Sequence, residues 1–314
     1  MRYLVITNCT ARKRRCLYQP LSPQAIDASS LAELARLWCQ QIATAPTCHP
    51  AGQLYVGRGF SEALATRKVL GASLFIVSSG LGLIGELDPA PNYDATASPG
   101  HSSLWSKLHV FGASPADWWN ALASARGRKN PVAELIHSRA DSVVLISLPA
   151  GYVDLIASDL RHVRPSLVDR LRIFTSRPGR DRLPPVLRRA ALPYDDRFEA
   201  SSRSGTKADF PQRAMRHFVE DLRAAALPLD AGHHKVLESL APLEAPRAPG
   251  RQRKSDYEVE QLISDHWERF SGSSTRLLRF LRDEANVACE QSRFKSLWHT
   301  VRAERTRGLG GSRA

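Results

Sequence analysis

The chain has 314 residues, and 43% of them are hydrophobic, which is enough to bury a core and excludes wholesale disorder. Its formal net charge is +13, from 44 Lys and Arg against 31 Asp and Glu, which favours nucleic acid as a partner before an anionic membrane surface. No segment reaches the roughly 18 to 20 continuous apolar residues of a membrane span, and the N-terminus lacks a signal-peptide pattern. We therefore expect a cytoplasmic protein with no membrane partner.

The five cysteines are odd in number and scattered, with no CxxC pair among them. This pattern favours free thiols in a reducing compartment. A zinc site that uses Cys39, Cys48 and His49 is conceivable, but the spacing matches no familiar zinc motif.

The first predicted strand, residues 2–7, is followed by small polar residues and then by four cations, in the sequence "TNCTARKRR". Helical periodicity follows over 29–43, and a second helix is predicted over 59–71, closed by Gly71. The run "SLFIVSS", residues 73–79, is apolar and β-branched without alternation, which is typical of a strand buried on both faces of a parallel sheet.

The same apolar pattern recurs in "SVVLISL", residues 142–148, and more weakly in "RLRIFTS", residues 170–176. Helical stretches lie between these runs, over 102–111, 115–125 and 151–162. Strands that alternate with helices predict an α/β fold, with a mostly parallel central sheet flanked by helices.

The last part of the chain changes composition. A strong helix is predicted over 209–225, with Asp209 as its N-cap, and the segment up to residue 255 then becomes rich in Pro and Arg. Beyond it the sequence is helical, with proportions resembling a helix-turn-helix. We expect an α/β catalytic domain over 1–227, a linker region over 228–255, a small all-α DNA-binding domain over 256–307 and a flexible tail over 308–314.

Ligands of an open parallel sheet bind at the carboxyl ends of its strands. Three loops are therefore expected to converge: the basic loop after the first strand, the long loop after the second, and "LPAGY" after the third. The small polar residues could approach a ligand closely, and the cations could hold its phosphates.

The loop over residues 80–101 is long, and structureless connections longer than about 12 to 15 residues tend to be functional. Its glycines could bring backbone amides close to an anion, although "GLGLIG" is not a dinucleotide-binding fingerprint. In "PNYDAT", Tyr93 could stack on a base and Asp94 could act as an acid, a base or a cation stabiliser. By residue type alone, a Pro-Asn turn with a packed Tyr and a capping Asp is the favoured alternative.

Other candidate groups have simpler alternatives. Cys9 could be a nucleophile if His101 or His109 activated it, but a buried inert thiol at a strand end is favoured. Arg213 and His217 lie four residues apart on one helix face, which could line the cleft or face water. The C-terminal helices interleave basic residues with aromatic ones, which suits contact with a DNA backbone but also an ordinary amphipathic bundle.

Four segments carry a family resemblance: "TNCTARKR", "GQLYVGRGF", "FIVSSGLGLI" and "NYD". Together they resemble a bacterial domain of unknown function that is similar to the YaaA-like proteins and to a domain of archaeosine synthase, both tied to nucleic acid or modified bases. The resemblance covers roughly residues 1–100, with a weaker match over 205–218. It implies one site formed by Asn8, Cys9, Thr10, Lys13, Ser79, Gly80, Gly82, Tyr93 and Asp94.

The predicted architecture is also similar to the anti-phage DNA glycosylases that remove glucosylated hydroxymethylcytosine, which have a uracil-DNA-glycosylase-like fold. In that superfamily an Asn or Asp just after the first strand positions the hydrolytic water, and Asn8 stands at this place. This resemblance implies a DNA N-glycosylase that flips a modified base out of foreign DNA in anti-phage defence.

We therefore predict a DNA glycosylase that needs neither metal nor cofactor. No lysine is convincingly placed in the sequence for a Schiff base, so monofunctional chemistry is expected. The predicted catalytic residues are Asn8 and Asp94; the substrate-binding residues are Cys9, Thr10, Arg12, Lys13, Ser79, Gly80, Gly82, Tyr93 and Tyr152; and the DNA-binding residues are Arg14, Arg15, Arg58, Lys207, Arg276, Arg279, Arg293 and Lys295.

Two alternatives remain open at the level of sequence. A DNA-binding protein without catalysis would use the same basic surface. A nucleoside or nucleotide hydrolase or transferase acting on small molecules would use the same pocket without needing the C-terminal helices.

Overall fold

The computed structural model describes residues 1–96, 103–246 and 250–310. The chain divides into two compact units, Met1–Pro246 and Arg247–Ala314, which we call the first and second units. The predicted α/β class is confirmed, with a mostly parallel central sheet flanked by helices and a helical C-terminal segment.

The strands follow the apolar runs of the sequence, with three short additions that the sequence did not predict. The strands are β1 (Arg2–Asn8), β2 (Thr47–Pro50), β3 (Ser73–Ser78), β4 (Gly82–Gly85), β5 (Pro89–Pro91), β6 (Ser142–Ser147) and β7 (Leu171–Phe174). The central sheet has the order β4-β3-β1-β6-β7, in which only β4 runs antiparallel to its neighbour. Strands β2 and β5 form a separate antiparallel pair.

The helices of the first unit lie between and after these strands. They are α1 (Leu31–Thr44), α2 (Ala51–Leu54), α3 (Arg58–Leu70), α4 (Ser103–Val110), α5 (Pro115–Ala125), α6 (Pro131–Ser138), α7 (Ala150–Leu155), α8 (Ala157–Leu160), α9 (Arg177–Arg182), α10 (Phe210–Arg216) and α11 (Leu229–Leu240). Gly71 ends α3 in a left-handed conformation with φ of 57°, as its position in the sequence predicts.

Both faces of the sheet are covered, which explains why its strands are apolar without alternation. Val5 pairs in register with Leu74 and Leu145, and all three join a core that includes residues of α3, α10 and α11. Their neighbours Leu4 and Ile6 point to the opposite face, into a core with residues of α1 and α5. The sheet is therefore a middle layer between two layers of helices.

Several predicted boundaries are wrong. The helix expected over 209–225 leaves the α-helical path after Arg216, where His217–Asp221 form a π-helical turn. The helix expected over 151–162 is interrupted at Ile156 and becomes α7 and α8.

The predicted linker region over 228–255 also needs correction. It contains α11, whose Leu229, Val236 and Leu240 are buried in the core of the first unit, because they recur at helical spacing on one face. The division between the units falls after Pro246 instead.

The second unit has its own apolar core. It contains α12 (Asp256–Asp265), α13 (Ser274–Asp283) and α14 (Gln291–Gly310), and Ser255 with Glu258 forms a capping box at the start of α12. Buried side chains from all three helices meet in one cluster. Helix α14 continues to Gly310, three residues into the tail predicted over 308–314, and residues 311–314 lie outside the described residues.

The prediction that all cysteines are free thiols is wrong for two of them. Cys16 and Cys48 form a disulfide with a Cα–Cα distance of 5.8 Å, so Cys48 is not available for the conceivable zinc site. Cys9, Cys39 and Cys289 are free.

Within the described parts of the chain, no helix combines the length and the apolar character that crossing a membrane requires.

Candidate functional site

The candidate site lies at the carboxyl end of the sheet, where the strand order reverses. The chain moves from β1 outwards to β3 on one side, and later returns to place β6 on the other side of β1. In open α/β sheets such a switch point between two parallel strands leaves a crevice for ligands. Asn8 ends β1 and Ser147 ends β6, so both residues stand at this crevice.

Gln212 of α10 fixes the carboxamide of Asn8. Its Nε2 donates to Asn8 Oδ1 at 2.6 Å and to the carbonyl oxygen of Ser147 at 3.1 Å, so it bridges the ends of β1 and β6. Asn8 Nδ2 in turn donates to the carbonyl oxygen of Cys9 at 2.7 Å. These contacts orient the amide of Asn8, which is half-buried. A carboxamide oxygen has two lone pairs, and Gln212 uses one of them.

Cys9 and Tyr152 meet across the same crevice. The Cys9 sulfur lies 3.1 Å from the Tyr152 phenol oxygen, which also donates to the Cys9 carbonyl oxygen at 3.2 Å. Burial, followed by the negative charge that Cys9 can carry, raises the pKa of Tyr152 well above its usual value. The Tyr152 hydroxyl therefore holds the end of β1, a role beyond the substrate binding that the sequence predicts for this residue.

Lys13 packs over Tyr93 beside this crevice. Its Nζ lies 4.3 Å from the centroid of the Tyr93 ring, a cation–π contact. Burial lowers the pKa of Lys13, and the charges of Cys9 and Asp94 oppose that shift. These electrostatic contacts place the loop after β1 next to the loop that follows β5.

Tyr93 belongs to a buried network of hydroxyl groups at the end of β3. Its phenol oxygen lies 2.6 Å from that of Tyr55 and 2.7 Å from Ser78 Oγ. Burial is the main cause that raises the pKa of both tyrosines well above the usual range, so both remain neutral. Because Tyr93 is 2% exposed and Lys13 covers one ring face, the predicted stacking of a base on Tyr93 does not fit this geometry.

The glycine turn after β3 also differs from the prediction. Residues 80–91 are not a structureless loop, since β4 and β5 lie within them. Gly80 and Gly82 are buried, and the amide of Gly80 donates to Ser78 Oγ, so neither glycine presents its backbone to an anion. Ser79 is buried as well, and its hydroxyl donates to the Ala95 carbonyl oxygen.

Asp94 is exposed, and its amide donates to the Leu21 carbonyl oxygen at 2.7 Å. Its carboxylate raises the pKa of Lys13, against the larger effect of burial. Asp94 and the residues at the end of β1 therefore share one edge of the sheet.

The basic loop is tied down by backbone pairing. Lys13 forms a β-bridge with Tyr55, and the Arg14 amide donates to the Leu54 carbonyl oxygen at 2.7 Å. Thr10 Oγ1 donates to the carbonyl oxygens of Arg12 and Val56, so the Thr10 hydroxyl serves the loop itself. The Arg12 side chain is exposed.

The remaining residues of the first unit that are predicted to contact DNA differ in exposure and in their hydrogen bonds within the protein. Arg14 and Arg15 are exposed, although Arg14 Nε donates to the Gln53 carbonyl oxygen at 3.2 Å. Arg58 is half-exposed and donates to the Ser204 carbonyl oxygen at 2.8 Å. Lys207 is exposed.

Arg213 and His217 neither line the cleft nor face water. Arg213 is fully buried, with Nε 2.7 Å from Asp209 Oδ1 and an η-nitrogen 2.7 Å from Glu199 Oε1. His217 is buried with Nδ1 2.8 Å from the Tyr194 phenol oxygen. These groups hold the segment before α10 in place, and Asp209 accepts from Arg213 in addition to standing at the helix start.

In the second unit, the four predicted DNA contacts separate into two kinds. Arg276, Arg279 and Lys295 are exposed on α13 and α14. Arg293 is half-buried; its Nε donates to Asp256 Oδ1 at 2.7 Å, and it also donates to the Lys254 carbonyl oxygen. Arg293 is thus part of the internal framework of this unit.

Sequence reasoning missed Gln212 and Tyr55. Tyr55 lies in "GQLYVGRGF", a segment in which the sequence predicts a role for Arg58 alone. Gln212 lies in the weaker match over 205–218 and has no predicted role, because its contact with Asn8 joins positions 204 residues apart. Of the two histidines considered as activators of Cys9, His109 is exposed on α4 and His101 lies outside the described residues.

Among the described residues, no cluster of three or more His, Cys, Asp or Glu side chains could hold a metal ion. Comparison with protein-family models, with curated proteins and with solved structures found no match to this chain. The function must therefore be argued from the site itself.

Proposed function

We propose that the protein is a DNA N-glycosylase that excises a modified base and leaves an abasic site. The observation that carries this proposal is the Asn8 carboxamide, which Gln212 fixes at the crevice between β1 and β6. An oriented amide oxygen at this position can accept a hydrogen bond from a water molecule and direct it at a sugar carbon.

Cleavage of a nucleoside bond passes through a sugar with oxocarbenium character. In our proposal, Asn8 Oδ1 positions the hydrolytic water and the exposed Asp94 carboxylate stabilises the positive charge that develops on the sugar. Positioned groups of this kind typically contribute factors of about 10² to 10⁴ to a rate.

The cations around the crevice support a polyanionic substrate. Arg12, Arg14 and Arg15 are exposed on the tied loop, and the whole chain carries a net charge of +13. In the second unit, the exposed Arg276, Arg279 and Lys295 would contact phosphates and add affinity that does not depend on sequence. The target base would leave the stack to reach the crevice, at a cost of a few kcal/mol.

Glucosylated hydroxymethylcytosine is the base that we propose as the target, in defence against phages that carry it. This choice rests on the resemblance described above rather than on a contact of the site. A cytoplasmic location also remains a proposal.

The test compares duplexes that contain cytosine, hydroxymethylcytosine or glucosylated hydroxymethylcytosine. After incubation with the full-length protein, alkali cleaves any abasic site, and the fragments are resolved on a denaturing gel. We expect cleavage of a modified duplex by the native protein, with Asn8→Ala and Asp94→Ala each slowed by roughly 10²-fold or more. DNA affinity should persist in both variants.

Two matched controls separate chemistry from general damage. Asn120→Ala removes an exposed amide on α5, and Asp141→Ala removes an exposed carboxylate that pairs with Arg2 at the opposite end of the sheet. Both should retain full base release. Release of no base from any of these DNAs, or unchanged release by both site variants, would overturn the glycosylase and leave a DNA-binding protein as the better reading.

A further inference from the structure

Backbone pairing and an aromatic contact fix the position of Lys13. Its backbone bridges Tyr55, and the Val56 amide donates to the Arg12 carbonyl oxygen at 3.1 Å just before it. The Tyr93 ring beneath its Nζ is held in turn by hydrogen bonds of the phenol oxygen to Tyr55 and Ser78. The amine therefore has a defined place at the crevice, unlike a lysine on a flexible surface chain.

The surroundings of Lys13 act on its pKa in opposite directions, and burial, which lowers it, is the largest effect. The side chain is half-buried against an aromatic ring, and the charge of the exposed Asp94 carboxylate acts on it. Removal of an ammonium group from water favours its neutral form, and only the neutral amine can attack a carbonyl carbon.

We propose that Lys13 forms a Schiff base with the aldehyde of an abasic deoxyribose, which gives the protein an abasic-site lyase activity. The inference deepens the proposed function, on which it rests for the source of the abasic site. It adds a second activity, strand cleavage, to base release. The sequence alone predicts a monofunctional glycosylase without this second activity.

The steps balance without an oxidant or a reductant. The neutral Nζ attacks C1′ of the ring-opened sugar and a C–N bond forms; loss of one water and uptake of one proton from solvent then give a protonated imine. The Asp94 carboxylate accepts a proton from C2′, the electron pair forms the C2′–C3′ double bond, and the C3′–O bond breaks with the 3′ phosphate as the leaving group. Water then hydrolyses the imine and frees the lysine.

Burial of Lys13 also predicts how Schiff-base formation depends on pH. Because burial lowers the pKa of Lys13, its amine becomes neutral at a lower pH than an ordinary lysine with a pKa of about 10.4. The rate of Schiff-base formation is therefore expected to rise with pH and to level off below that value.

The experiment uses the full chain and a duplex with one preformed abasic site, made by removing uracil from DNA, in the presence of borohydride. Borohydride reduces the imine to a stable amine, so a covalent protein–DNA adduct reports Schiff-base formation. We expect the native protein to be trapped and Lys13→Arg to lose trapping, since Arg keeps the positive charge but forms no such adduct. The trapping rate of the native protein should follow the pH dependence given above.

Lys68→Arg is the control, because Lys68 is exposed near the end of α3 and carries no proposed role. It should be trapped like the native protein. Peptide mapping of the reduced native adduct gives an answer that does not depend on any variant folding. An adduct on Lys13 supports the proposal; an adduct elsewhere, no adduct, or full trapping of Lys13→Arg overturns it.

The preformed site separates this proposal from the glycosylase. Trapping without release of any modified base would support the lyase and contradict the glycosylase. Base release without trapping would do the reverse.

Discussion

The phenol oxygen of Tyr152 lies 3.1 Å from the Cys9 sulfur, so a residue that follows β6 holds a residue that follows β1. The same oxygen donates to the Cys9 carbonyl oxygen, which Asn8 Nδ2 also contacts. One hydroxyl group thereby joins the two strand ends on either side of the crevice. It lies next to the Asn8 carboxamide, which we propose positions the hydrolytic water.

Tyr152→Phe tests this role. Loss of the hydroxyl removes hydrogen bonds at a half-buried position and is expected to lower the free energy of unfolding by about 1 kcal/mol. Tyr257→Phe, at a side chain that is 70% exposed on α12, should change it much less. Urea unfolding measures both free energies of unfolding. Equal values for the two variants would show that the Tyr152 hydroxyl does not stabilise the fold.

Gly80→Ala should destabilise the first unit. A Cβ atom at Gly80 would collide with the Tyr93 ring, which cannot move aside while Tyr55 and Ser78 hold its hydroxyl. Overpacking of this kind costs about 1 to 3 kcal/mol, which denaturant unfolding would measure.

Gly151→Ala is the matched control for that substitution. Gly151 lies in α7 with no atom within 4 Å of the Cβ position, so Ala is expected to be neutral or to stabilise by about 0.5 to 1 kcal/mol. If both variants are equally stable, Gly80 is not required by close packing.

The disulfide between Cys16 and Cys48 closes a loop with a sequence separation of 32. Its loss through Cys16→Ser is expected to lower the free energy of unfolding by about 3 to 4 kcal/mol, because the unfolded chain regains conformational freedom. Cys39→Ser removes a free thiol and no cross-link, so it should change stability far less. Alkylation of all five cysteines in the unreduced native chain, read by mass, would contradict the bond.

Arg279 and Arg293 should respond differently to replacement by Ala. Arg279 is exposed, so its loss is expected to reduce the slope of log affinity for duplex DNA against log salt by about 0.9, without loss of stability. Arg293 is paired with Asp256, so its loss should instead destabilise the second unit, by about 1 kcal/mol. The slopes come from DNA titrations at several salt concentrations, and an unchanged slope for Arg279→Ala would exclude a phosphate contact there.

The layered fold could be predicted because its signals are local. The apolar runs at 73–79 and 142–148 required helices on both faces of a sheet, and the structure has them. The strands Gly82–Gly85 and Pro89–Pro91 were missed because they are short, rich in Gly and Pro, and stabilised by partners rather than by their own sequence.

The site was predicted only in outline for a similar reason. The end of β1 was recognisable, since polar residues follow a buried strand directly. Two features depend on contacts between distant segments, which periodicity and residue type do not encode. They are the burial of the Tyr93 side chain and the hydrogen bond from Gln212 to Asn8. The same holds for Lys13, whose amine is fixed by an aromatic ring 80 positions later in the chain.

The bridge between Lys13 and Tyr55 and the cross-link from Cys16 to Cys48 act on one segment of the chain. An untethered cationic stretch would sample many conformations and would lose that freedom on meeting a polyanion. Here much of the loss takes place during folding, so the cations would already be arranged for the polyanion that we propose as their partner. Capture is then expected to be governed by diffusion and long-range attraction rather than by rearrangement of the segment.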